Sequence, residues 1–232
     1  MGRSMRAGVI AIAAVALGVG LSSCGSDTET AETTSATSAE SSSETSTTSE
    51  ASPTPGQPAG NKTIVDYIRE NEIVETPVKK GDPGSPTINL PLPPGWSDAG
   101  AAAPQWAYAA MASADPAMGD QPPTIIALLS KLTGNVEPAK ILEFAPGELK
   151  NLPGFEGPES GQPTKLGGFD AVQIGGTYTK DGVKRAIAQK TVVIPGQDGL
   201  FVLQLNADGR EDQMMALMDA TSVIDEQTTI TP

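Results

Sequence analysis

The chain of 232 residues carries a single thiol, Cys24, and no histidine. A lone thiol has no disulfide partner within its own chain, so the chemistry open to it is modification of the sulfur. The absence of histidine excludes Ser–His–Asp and Cys–His nucleophile systems and histidine-based zinc sites. The sequence shows no glycine-rich phosphate loop, calcium loop or nucleophile elbow. Carboxylate catalysis, as in an esterase or transferase, and oxygen-ligated metals stay open, but nothing in the sequence calls for them, so no catalytic residue, metal ligand or cofactor is assigned and a non-enzymatic chain is expected. Binding chemistry is better represented. Trp96, Trp106 and Tyr108 fall within thirteen residues, and an indole stacks on a sugar ring while donating from its N–H. These three are the candidate ligand-binding residues. In the alternative, Trp106 and Tyr108, at i and i+2, are the buried face of a strand.

Two further groupings admit a binding reading. Met214, Met215 and Met218 either line a pliable lipid groove, because thioethers adapt to irregular partners, or form plain core at helical spacing. Lys79 and Lys80 read as a solvated loop rather than a headgroup contact. Glu211 and Asp212 read as charges complementing a helix start.

The residues ahead of Cys24 give its thiol a use. Arg3 and Arg6 make a basic start, and an apolar run from Ala7 to Val19 follows. Its length suits a secretory signal and is short for a membrane span. Leu21-Ser22-Ser23-Cys24 then resembles the bacterial lipobox, which implies a diacylglycerol joined to the sulfur and cleavage just before the cysteine. Each buried CH₂ of such an anchor contributes about 0.8 kcal/mol, and two or more chains hold a protein stably at a membrane. The alternatives are a cleaved signal that happens to contain cysteine, or an uncleaved anchor helix.

Three regions follow: a signal over 1–23, the lipidated cysteine with a linker over 24–60, and a globular domain over 61–232. The stretch 25–60 has no aromatic residue, no Leu, Ile or Val, and six acids without a base. It cannot bury enough apolar area to offset its ordering entropy, so it is expected to be disordered. Its 36 residues reach at most about 120 Å and span about 30–36 Å as a flexible coil. A plain spacer is expected, with O-linked sugar on its Ser and Thr residues as the alternative. The domain holds 22 acids against 13 bases, which argues against a nucleic-acid partner, since phosphate binding needs a basic footprint.

Positioning elements emerge from the spacing. Thr63 and Asp66 bracket the start of a short helix carrying Ile64 and Ile68. Thr87 to Leu92 alternates, and Pro91 marks a sheet edge or strand end. Gln105 to Met111 alternates again and predicts a strand, as does Thr124 to Leu132. Pro138 opens a helix that Pro146 and Gly147 interrupt. Phe169 to Ile194 reads as a long hairpin around Asp181-Gly182, and a second turn at 196–199 leads into another strand. A final helix starts with Asp208 and Glu211 in capping-box spacing and shows Met214, Leu217, Met218 and Thr221 on one face. Four or five antiparallel strands with helices at the start, middle and end make an α+β domain.

Blocks such as TIVDYIRENEIVETPV, GDPGSPTINLPLP, PPTIIALLSKLTG, FAPGELKNLPGF, FVLQLNAD and LMDATSVIDEQTTITP resemble the LpqN/LpqT family of mycobacterial lipoproteins. The resemblance runs from about Lys62 to Pro232, with 96–112 departing from it. It implies a fold similar to PsbP and Mog proteins, an antiparallel β-sheet flanked by helices. It also implies an extracytoplasmic, lipid-anchored, non-enzymatic role in the mycolate-containing cell envelope. Trehalose glycolipids and envelope-biogenesis proteins are the implied partners, and host proteins for some members. No catalytic residues are carried over. The alternative role is a protein–protein adaptor recognising envelope or host proteins.

Overall fold

The structure, a computed structural model, describes residues 60–232. The expectations for Cys24, the signal and the linker lie outside the described residues.

Four long strands form the backbone of the domain: β5 (Thr124–Thr133), β7 (Phe169–Lys180), β8 (Val183–Gly196) and β9 (Gly199–Arg210). They belong to an all-antiparallel sheet of eight strands. With β1 (Val74–Pro77), β3 (Trp96–Asp98), β4 (Ala109–Ser113) and β6 (Gln162–Leu166), the order is β3-β4-β5-β9-β8-β7-β6. β1 and β4 share one edge of β5 end to end, β4 against 124–127 and β1 against 130–133. The strands β2 (Thr87–Asn89) and β10 (Thr229–Thr231) pair as a separate ribbon.

The sheet exceeds the expected four or five strands partly because β1 and β3 have only four and three residues. Such lengths are too short to display an alternation. The long hairpins follow their sequence closely. Asp181 and Gly182 both adopt positive φ, 52° and 76°, the pair of values that a two-residue type I′ turn requires. Lys180 consequently sits opposite Val183, and the register runs unbroken to Ala171 opposite Val192.

Successive side chains of a strand point to opposite faces, so each long strand feeds two cores. One face gathers Ile125, Leu129, Val192, Ile194, Phe201, Leu203 and Leu205. It is covered by α4 (Met214–Gln227), which buries Leu217, Ala220 and Ile224. The other face gathers Leu132, Val193, Leu200 and Val202 beneath α1 (Ile64–Glu70) and α2 (Pro138–Phe144). The short α3 (Pro146–Lys150) lies on that second face as well. Helix α1 begins where expected: the Asp66 amide donates to Thr63 Oγ1 at 3.2 Å and the Thr63 amide donates to Asp66 Oδ2 at 3.0 Å.

Two expectations are corrected. Gln105 to Tyr108 is not a strand, and β4 begins at Ala109. Ala107 N–H closes a turn onto the Pro104 carbonyl, and the Lys79 ammonium takes the carbonyls of Gln105 and Ala107. Those backbone groups are therefore withdrawn from any ladder. Asp208 likewise does not cap the last helix. It lies within β9, where its carboxylate accepts from Tyr178 and Arg185. The cap falls two residues on, where Gln213 Oε1 accepts the Arg210 amide at 2.8 Å.

Candidate functional site

The register of β7 and β8 sets Gly175 opposite Ala188 and Thr177 opposite Ala186. Glycine and alanine there leave the sheet surface low, whereas the helix above has long side chains. The difference opens a groove of about 220 Å³ between the sheet and the first half of α4, lined by Gly175, Ala186, Ala188, Met214, Met218 and Thr221, with Leu217 at its back. Thr221 is its one polar side chain, and its hydroxyl donates to the helix carbonyls of Leu217 and Met218, 2.9 and 3.1 Å away. The groove therefore offers carbon and sulfur surface.

The helix is secured at both ends and so cannot simply settle onto the low floor. At its start, Gln213 Nε2 donates to the carbonyls of Met118 and Gln121 at 3.1 and 3.0 Å. Further on, the buried Lys190 ammonium of β8 pairs with Asp225. Between these points Met218 is 57% exposed and Met215 is 65% exposed. Of the two readings of the methionine cluster, plain core is excluded for these two. Met214 is half-buried and packs against the core beside the groove.

The three aromatic candidates occupy different places. Trp96, in β3, is 9% exposed and Tyr108 is 8% exposed, both within the core on the α4 side of the sheet. Trp106 stands 42% exposed in the turn that Lys79 holds. None of the three lines the groove. Lys79 has a structural partner, and Glu211 and Asp212, which stand in the first turn as expected, also pair with Lys184 and Arg210.

The opposite face of the same strands carries a buried polar group that the sequence reading passed over. Glu148 of α3 accepts at Oε2 from Gln189 Nε2 (2.9 Å) and Gln204 Nε2 (3.1 Å). Burial pushes its carboxyl above the usual carboxylate range against the pull of these two amides. Glu75 of β1 is raised for the same reason, with the nearby Glu148 adding to the effect. Gln189 and Thr191, buried polar residues at alternate positions of β8 between Ile187 and Val193, were the available signal.

Farther along that face, Arg185 and Tyr178 both hold the Asp208 carboxylate. Burial and this carboxylate drive the Tyr178 phenol well above the ordinary tyrosine value. Among the described residues no cluster of three acidic, cysteine or histidine side chains could hold a metal ion. No described helix is long and apolar enough to cross a membrane.

Residues 60–231 match a family model described as "Probable lipoprotein LpqN". The chain is 57% identical over 225 residues to Lipoprotein LpqN of Mycobacterium tuberculosis, covering 96% of this chain and 97% of that protein. It also matches a crystal structure of LpqN, described as involved in cell envelope biogenesis of Mycobacterium tuberculosis. That match has a TM-score of 0.70 and 60% identity, over 74% of this chain and 99% of the other.

Proposed function

The chain belongs to the LpqN family of lipoproteins, and from that premise we propose that it is a lipid-anchored, non-enzymatic module that binds glycolipid during cell-envelope biogenesis. Cys24 carries the anchor, and the linker over 25–60 gives the domain reach from the membrane. The groove beneath α4 receives the acyl chain. The observation that carries this reading is the 220 Å³ trough whose floor is glycine and alanine and whose roof is methionine. Apolar burial supplies the affinity at roughly 25 cal/mol per Å², and a thioether roof tolerates chains of differing shape. The family relationship makes a trehalose ester the first ligand to try. Trp106, the one candidate aromatic with a substantially open side chain, offers a stacking surface for sugar.

The test is native mass spectrometry of delipidated protein incubated with a long-chain trehalose monoester. A one-to-one adduct, weakened when Met218→Asp places a carboxylate on the roof, supports the reading. Clean spectra at high ligand excess reject it.

A second reading, an adaptor for envelope or host proteins, draws on a different feature. Strand β6 terminates the sheet, so its outer edge is unpaired within it, and such an edge can accept a partner strand. Crosslinking in intact cells with the groove blocked distinguishes the two, since capture through β6 persists when the groove is filled.

A further inference from the structure

The Glu148 carboxyl and the Gln189 amide face each other with one hydrogen bond made and another missing. Gln189 Nε2 donates to Glu148 Oε2 at 2.9 Å. The remaining oxygens, Glu148 Oε1 and Gln189 Oε1, are both buried, and neither has a hydrogen-bond partner among the described residues. A carboxyl and a primary amide are planar forks, so one N–H···O bond between them can set their other oxygens side by side. Two acceptors in that position repel. One proton on the carboxyl converts the contact into a second hydrogen bond, giving the cyclic acid–amide pair. A buried acceptor left unmatched is unfavourable, and a single proton satisfies two of them.

Among the described residues, none of the groups facing the pair supplies a positive charge in its place. From β8 the facing groups are Gln189 and Thr191, and from β9 Gln204 and Asn206, which also accepts from Gln189 Nε2 at 3.0 Å. From β5 comes Ser130, and from β1 Glu75, itself a carboxyl with an unpartnered oxygen. Arg185 lies farther along the face and is held by Asp208. From α3 itself, Lys150 reaches away to the Glu159 carbonyl, and Lys62, on the chain beneath α3, pairs with Glu70.

Helix α3 has a second attachment, to the segment where the domain begins. Asn151 Oδ1 accepts the Asn61 amide at 2.8 Å and Asn151 Nδ2 donates to the Asn61 carbonyl at 2.7 Å. A Cβ at Gly147 would overlap the Lys62 carbonyl oxygen, so α3 lies directly on this stretch. We propose that Glu148 is carried as the neutral acid in the folded domain, its proton bridging Oε1 to Gln189 Oε1, and that this proton latches α3, with residues 61–62 beneath it, onto the sheet. Loss of the proton leaves a buried carboxylate against a carbonyl oxygen and releases the seam.

The test uses the full chain labelled with ¹³C at the glutamate carboxyls. Infrared spectra at neutral pH are expected to show a protonated carboxyl band that Glu148→Gln removes, Glu75→Gln retains and Gln189→Met shifts. No such band, or a band lost only in Glu75→Gln, overturns the proposal, and neither result requires Glu148→Gln to fold. Amide exchange gives the second reading. Protection of the Asn61 N–H is expected to fall with rising pH beyond intrinsic base catalysis, and Glu148→Gln is expected to abolish that fall. Equal profiles for the two proteins overturn the latch.

Discussion

Asn151 and Asn61, ninety residues apart, are joined by three hydrogen bonds: two of 2.8 and 2.7 Å between the Asn151 side chain and the Asn61 backbone, and one of 3.2 Å between their side chains. The contact is exposed and neutral, so its worth is modest. Asn151→Ala is expected to destabilise the domain by about 1 kcal/mol. Exchange at Asn61 should quicken far more than exchange in β8. Equal changes at both places in a hydrogen-exchange experiment count against a local clasp.

The Lys190–Asp225 pair makes a second prediction. The lysine side chain is 9% exposed, whereas Asp225 is 39% exposed and remains partly solvated. Asp225→Ala leaves a buried ammonium without its partner. Because water still reaches the site, the expected loss is about 1–3 kcal/mol, below that of a fully buried pair. Adding Lys190→Met should recover most of it. Chemical denaturation of the single and double variants checks the difference.

Tyr178 predicts an alkaline transition. Its phenol ionises in the folded domain well above the unfolded value of about 10, because burial and the Asp208 carboxylate both oppose the phenolate. The folded state therefore retains a proton that the unfolded chain has released. The associated stability is fully present below the unfolded value and declines as pH rises toward the folded one. Ultraviolet titration should show a late phenolate component that coincides with unfolding and disappears in Tyr178→Phe.

Filling the groove gives a fourth prediction. Ala188→Leu adds three carbons to its floor, and Met218→Asp adds a charge to an exposed position of its roof. Each is expected to weaken long-chain glycolipid binding at least about tenfold, about 1.4 kcal/mol. Met218→Asp should leave the melting temperature nearly unchanged, because surface substitutions usually fall within about 0.5 kcal/mol. Undiminished binding by both variants removes the groove from consideration.

How far these features could be read beforehand depended on the range of the interactions behind them. The Thr63–Asp66 cap, the break at Pro146 and the Asp181-Gly182 hairpin are decided by neighbours in the chain, and all appear where their residues indicate. The turn around Trp106 depends on an ammonium from Lys79, twenty-six residues away, so local alternation suggested a strand instead. Asp208 looked like a cap because its partners, Tyr178 and Arg185, reach it only across the sheet. The methionine spacing by itself pointed to plain core rather than a groove. What separates them is the glycine and alanine floor on two other strands, which only their pairing brings beneath the helix. The polar residues of β8 were a signal, but nothing local joined them to Glu148, whose amides come from β8 and β9.

The two-residue hairpin at Asp181-Gly182 has a reach well beyond its size. In β8, Ala188 belongs to the groove and its neighbour Gln189 to the acid–amide pair, one on each side of the same ribbon. Side-chain direction repeats every two residues, so inserting one residue in that bend would exchange their destinations. An amide would then protrude into the trough and a methyl group would meet the carboxyl. Two left-handed backbone angles thus act as the indexing pin for both surfaces of the molecule, and neither surface could be altered there without the other.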